Sequence, residues 1–257
     1  MALCIAGHSG LFGVGVTLPK IPKQRAIIDR RKLAADIDAV VADQGAANGR
    51  QAIVEKLRAA LDGGRAELAR RLTEKPGAGH ESAYGHAFLA DQLIRVVHDH
   101  VIEHVYPAAN RTSGERLALI AVGGYGRGEM SPHSDIDIAF VTPDKPTAWC
   151  EQVIEAILYY LWDLSLTVGH SSRSLNEVVR MAKEDLTIRT ALLEGRFLWG
   201  DQDVYEMASQ RFWSEVVPGT ERQFVAEKLA ERDARHKRMG DSRYVVEPNV
   251  KDGKGGL

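Results

Sequence analysis

Asp135 and Asp137 flank a single isoleucine, and a glycine-rich turn, Gly123-Gly124-Tyr125-Gly126-Arg127-Gly128, precedes them with ten residues between Gly124 and Asp135. On a strand, period-two alternation sends both carboxylates to one face and Ile136, Ile138 and Phe140 to the other. Two carboxylates one pleat apart repel each other unless a cation lies between them. Mg²⁺ suits such a pair, because it takes one or two carboxylates and completes its shell with water and phosphate oxygens. Paired metals stabilise both the attacking and the leaving oxygen of a phosphoryl-type displacement. Gly123 and Gly124 follow an apolar run, where they let the backbone turn sharply and bring N–H groups close to phosphate. Arg127 adds a permanent cation with a planar fork matched to phosphate. Ser134, just ahead of the acidic pair, can bond a phosphate or cap the strand.

The same triplet occurs at Asp36-Ile37-Asp38, inside "RRKLAADIDAVVADQ". That context favours a helix, where positions i and i+2 point to nearly opposite sides. No glycine pair lies ahead of it, so these are expected to be solvated or capping acids. His98-Asp99-His100 is a His-Asp doublet of the kind that binds metal in phosphohydrolases, but it sits in an amphipathic helix without the distant partners such a site needs. The glycine turn matches neither G-x-G-x-x-G nor the P-loop pattern.

The elements that must carry these residues are legible in outline. "LALIAV" (117–122) and "IDIAFV" (136–141) read as strands, and "LTVGHSSRS" as a third. A helix from about Thr147 to Leu164 turns Ile154, Ile157, Leu158 and Leu161 inward. Ahead of the strands, 24–71 reads as two helices broken at "GAANG" and "DGG". Residues 75–85 read as a loop, and "HAFLADQLIRVVHDHVIEHVY" as a long helix with Leu89, Leu93, Val96, Val97 and Val101 on one stripe. Residues 1–24 read as a loose lead-in, and helices are expected through most of the remainder. The sign-mixed stretch "ERQFVAEKLAERDARHKRMGDSR" reads as a solvated helix.

Composition sets limits on partners. With 257 residues, 44% hydrophobic and 26% charged, the chain can bury a real core. A net charge of -2 leaves no global electrostatic footprint for nucleic acid or an anionic membrane. The two cysteines, Cys4 and Cys150, are too few for a disulfide framework. No stretch approaches the roughly 20 apolar residues of a membrane span. A cytoplasmic protein without nucleic-acid or membrane partners is expected.

"GGYGRGEMSPHSDIDIAFV" resembles the signature of the polymerase-β-like nucleotidyltransferase superfamily, a glycine turn followed by an Asp-x-Asp strand. "LWDLSLTVGHSSRSL", "TALLEGRFLWGD" and "VVEPNVKDGKGGL" narrow the resemblance to the bacterial PII uridylyltransferase/uridylyl-removing family. It implies an α+β fold with a small mixed sheet and helices, flanked by helical segments. The corresponding division is a mainly helical region at 1–115, a catalytic core at 116–200, and the start of a helical domain at 201–257. It also implies Mg²⁺-dependent transfer of UMP from UTP to a tyrosine of the PII nitrogen-signalling protein, with Mn²⁺ as a possible substitute. Asp135 and Asp137 match the catalytic, metal-binding pair, and Gly123 and Gly124 the triphosphate turn, with Arg127 and Ser134 beside it. The third acid usual in the superfamily is not evident. "LTVGHSSRS" offers His170 at the place the resemblance assigns to it, and Asp163 and Glu194 are candidates elsewhere. Transfer of another nucleotidyl group to a different acceptor, or a vestigial nucleotide-sensing module, remains open. The sequence stops inside a family-like motif, so the expectation is a piece of a longer protein that attaches UMP without removing it.

Overall fold

The computed structural model describes residues 19–108 and 112–240. The motif "VVEPNVKDGKGGL" and most of the expected lead-in lie outside the described residues. Four helices come first: α1 (Gln24–Ile27), α2 (Arg30–Gln44), α3 (Arg50–Glu74) and α4 (Gly79–His100), the last extended by a π-helical turn over Val101–Val105. The mixed region follows as β1 (Ala118–Ala121), α5 (Gly123–Gly126), β2 (Ile136–Thr142), α6 (Ala148–Asp163) and β3 (Val168–Ser174). It continues with α7 (Leu175–Glu184), α8 (Leu186–Leu193), β4 (Arg196–Gly200) and α9 (Gln202–Arg211), and α10 (Glu221–Arg238) ends the described chain.

The strands form one four-stranded sheet in the order β3-β2-β1-β4. β1 pairs antiparallel with β2 and with β4, whereas β3 lies parallel to β2. This is the mixed sheet of the α+β expectation. The apolar run of β1 suits its central place, because a strand covered on both faces needs no alternation. Leu119 and Ala121 join the core under α3, α4 and α6, and Ala118 and Ile120 join the one under α7 and α9. In β2, Ile136, Ile138 and Phe140 enter the first core as expected, while Ala139 and Val141 enter the second. The inward stripes expected on α4 and α6 are buried. Thr147 caps α6 by accepting from the Cys150 N–H. No residue of α10 is buried, as expected of a solvated helix.

Three expectations fail. "DGG" does not break a helix, since α3 runs through Asp62, Gly63 and Gly64. Gly64 is there for closeness: a Cβ on it would stand 2.6 Å from Leu89 Cδ1 and 2.9 Å from the Ile27 carbonyl oxygen. On α4, Gly85 receives Leu68 in the same way, with Leu68 Cδ2 only 2.3 Å from where a Cβ would be. The two helices thus interlock reciprocally. The loop expected over 75–85 is shorter, because α4 begins at Gly79. Lastly, the remainder expected to be mostly helical holds a fourth strand, β4. Its five residues are too few to show a period, and its bulged register against β1 blurs alternation further.

Candidate active site

β1 ends at Ala121, and the chain turns at once through Gly123, whose φ of +62° falls in the left-handed region that glycine tolerates without a Cβ penalty. The turn is tied to β2, because the Val122 N–H donates to the Asp137 carbonyl at 3.0 Å. Turn and acidic strand are therefore brought together, as the spacing predicts.

Asp135 is exposed immediately ahead of β2, and Asp137 is half-buried on it, separated by Ile136, which is buried in the core. Two glycines from neighbouring elements flank the Asp137 carboxylate. A Cβ on Gly123 would lie 3.4 Å from its Oδ2, and one on Gly169 would lie 2.2 Å from its Oδ1. Gly169 is the register partner of Asp137 across the parallel β2–β3 pair. Glycine at 169 leaves open the space beside the carboxylate that any side chain would fill.

Among the described residues, no three or more His, Cys, Asp or Glu side chains gather to hold a metal ion. Two carboxylates with the rest of the shell left to water and phosphate oxygens is a donor set that Mg²⁺ accepts, so these residues fit it. The acidic third-acid candidates are each paired with an arginine. Asp163 pairs with Arg50 at 2.7 Å, and its backbone oxygen accepts from Arg58. Glu194 pairs with Arg127 at 2.7 Å. His170 is level with Ile138, not Asp137, and its ring meets that of Trp162 on α6, centroids 6.2 Å apart.

Arg127 lies beside the turn, held by Glu194 and by Glu129, whose carboxylate accepts from Nε at 3.2 Å. Ser134 closes a local turn, its Oγ accepting from the Ser131 N–H at 2.8 Å. The dismissed motifs behave as structural parts. Asp36 and Asp38 lie on α2, where Asp38 meets His104 at 3.2 Å. Asp99 bridges His98 Nδ1 (3.0 Å) and Trp199 Nε1 (2.6 Å), and His100 Nε2 meets the Tyr160 hydroxyl at 3.0 Å.

Sequence reasoning missed the residues behind the turn. Asp91 on α4, Tyr125 in the turn and Arg196 on β4 are all buried. The Tyr125 hydroxyl donates to Asp91 Oδ1 at 2.8 Å. Burial, and then the Asp91 carboxylate, push that phenol well above the usual tyrosine range, so it stays a protonated donor. Arg196 donates to both Asp91 oxygens, at 2.7 and 3.0 Å. The only sequence signal was a charged residue opening the short apolar run "RFLW".

Residues 108–198 match the family model described as a nucleotidyltransferase domain, and residues 223–257 match that of GlnD PII-uridylyltransferase. The chain is 72% identical over 240 residues to a bifunctional uridylyltransferase/uridylyl-removing enzyme of Novosphingobium aromaticivorans, which is 93% of this chain and 26% of that protein. Proteins of the same name from Erythrobacter litoralis and Rhodospirillum rubrum are 65% identical over 242 residues and 53% identical over 245. Each of these two alignments covers 94% of this chain and 26% of the relative. The chain spans about a quarter of the length of the curated relatives it matches. The nucleotidyltransferase match takes in the glycine turn and both aspartates, which makes the chain a transferase in type, and nearly all of its sequence is similar to about a quarter of these bifunctional uridylyltransferase/uridylyl-removing enzymes.

Proposed function

We propose that this chain transfers UMP from UTP to a tyrosine of the PII signalling protein and releases pyrophosphate, with Mg²⁺ as the working ion and Mn²⁺ as a substitute. Residues 116–200 are the catalytic core in this reading, and the helices before and after them are its flanks. The relatives' names supply uridylyl transfer, and the family description supplies PII. The observation that carries the reading is the Asp137 carboxylate at the exit of the glycine turn, between Gly123 and Gly169. Asp135 stands exposed two residues ahead of it, just before β2.

In the reaction, the tyrosine oxygen bonds to the α-phosphorus of UTP as the bond from that phosphorus to the bridging oxygen of the β-phosphate breaks. Pyrophosphate leaves with the electron pair, and the phenolic proton passes to solvent. Asp135 and Asp137 would hold the divalent ion, which when bound neutralises charge on the phosphate oxygens. Gly123 and Gly124 let the backbone approach the triphosphate. Arg127 reaches phosphate by exchanging one of its two carboxylate partners for it. Ser134 uses its oxygen as an acceptor in its own turn and so keeps its hydroxyl hydrogen for a phosphate oxygen. The compartment is the cytoplasm in this reading; no helix among the described residues is long and apolar enough to cross a membrane.

The test is to incubate the chain with PII, Mg²⁺ and labelled UTP or labelled ATP. Label is expected on PII from UTP only. Asp137→Asn keeps the shape but removes a charged ligand, so the rate should fall by about 10³-fold or more in a folded protein. Asp36→Asn should leave it unchanged. Normal turnover by folded Asp137→Asn, or an equal loss in Asp36→Asn, would overturn the assignment.

A further inference from the structure

The glycine turn is gripped from behind. Arg196 sends Nε to the Gly126 carbonyl and Nη2 to the Tyr125 carbonyl, both at 3.2 Å, the latter shared with the Gly128 N–H at 3.0 Å, while its other bonds go to Asp91. The same two peptide groups are held at their N–H ends. The Gly126 N–H donates to the Val122 carbonyl at 2.9 Å, and the Arg127 N–H to the Gly123 carbonyl at 3.1 Å. Each of these planes is thus fixed at both ends. The turn has no slack toward α8 either, since a Cβ on Gly126 would stand 2.1 Å from the Glu194 carbonyl oxygen.

Stability alone does not call for this arrangement. A buried ion pair costs desolvation on both sides, and well-packed apolar residues of similar volume stabilise a fold as well or better. Arg196 and Asp91 are 6% and 2% exposed, so that cost is nearly complete. An arginine here adds what an apolar residue lacks: a rigid fork that reaches two backbone carbonyls and a carboxylate at once. Asp91 cancels the charge and also takes the Tyr125 hydroxyl.

We infer that Arg196, neutralised by Asp91, is a positioning residue for nucleotidyl transfer: it fixes the peptide planes of the glycine turn and so aims the turn at the triphosphate. The inference rests on the reading of that turn as a phosphate cradle. Lysine at 196 would keep the charge against Asp91, but a single ammonium cannot reproduce the fork. The folded Arg196→Lys protein should therefore bind UTP with Mg²⁺ about tenfold more weakly, while its KM for PII is unchanged.

A second variant separates positioning from bulk stability. Asp91→Leu/Arg196→Met removes both buried charges together but strands the Tyr125 hydroxyl, so thermal stability should fall by far less than in either single replacement by an apolar residue. UTP affinity should nevertheless remain about tenfold low, because the Gly126 carbonyl has lost its donor and the Tyr125 carbonyl keeps only the Gly128 N–H. Gly124→Val, which obstructs the cradle itself, is measured alongside by titration calorimetry. Wild-type UTP affinity in a folded double variant, with Gly124→Val weakened, would overturn the positioning role and leave the cradle standing. Unchanged affinity in folded Gly124→Val would overturn both.

Discussion

Gly169→Ala isolates the space beside Asp137 from the rest of the fold. The new methyl carbon would stand 2.2 Å from Asp137 Oδ1, against an ordinary carbon–oxygen contact of about 3.3 Å. The oxygen must therefore retreat by about 1 Å. It is the far end of a rotatable side chain, so the retreat is a carboxylate rotation costing about 0.5–1.5 kcal/mol. Gly169 is absent from the positive-φ glycines, so alanine fits its backbone, and relieving a strand glycine returns about 0.5–1 kcal/mol. Stability should then change by less than about 1 kcal/mol. Activity is far more sensitive. Mg²⁺ demands ligands at about 2.0–2.1 Å in near-octahedral geometry, and a 1 Å misplacement costs about 10²-fold in rate. The assay pairs initial rates of labelled UMP transfer to PII with thermal denaturation of the same preparation. A folded Gly169→Ala protein within about threefold of the wild-type rate would refute the reasoning, because Asp137 would then tolerate displacement that no metal ligand should.

Gly63→Ala should stabilise the fold by about 1 kcal/mol, since the site is exposed inside α3 with nothing within 4 Å of a new Cβ. Gly64→Ala, one residue on, should destabilise by about 1–3 kcal/mol through overpacking against Leu89 and Ile27; chemical denaturation checks both signs. Acid should weaken the fold through two buried histidines. Burial, then His104, pushes His100 from 6.5 down to about 4, and burial, then Arg65 and His133, does the same to His86. Both resist a proton that the unfolded chain accepts below pH 6.5. Their contribution is therefore complete above that pH and is lost toward pH 4, by up to about 1.4 kcal/mol per unit for each histidine. His100→Gln should remove one histidine's share of that slope, and denaturation midpoints that stay level between pH 7 and 5 would contradict the account.

The sequence makes legible what depends on neighbours along the chain. The unbroken run at 117–122 and the alternation at 136–141 belong to β1 and β2, and the glycine turn lies against the acidic strand. Features set by distant approach were hidden. Gly63-Gly64 reads locally as a breaker, yet Gly64 serves contacts with Ile27 and Leu89. Gly169 has no local signal, because its meaning lies in the β2–β3 register. Asp91 and Arg196 are 105 positions apart, so neither announces the other. The third acid was sought at His170, and the register moved it one residue out of line with Asp137.

The reciprocal interlock of α3 and α4 acts at a distance from where it sits. Leu68 drops into the notch at Gly85, and Leu89 into the notch at Gly64, so the two antiparallel rods share a pair of dowels four residues apart on each. A one-turn slide of α4 along α3 would require about 5.4 Å and would drive a leucine against backbone at both ends. Asp91 lies two residues beyond Leu89, so the dowels also set the height at which its carboxylate reaches Arg196 and Tyr125. The helix pair thereby works as the gauge for the glycine turn. A mutation that shaved either dowel would open a cavity between α3 and α4 and would also loosen the height at which Asp91 meets Arg196.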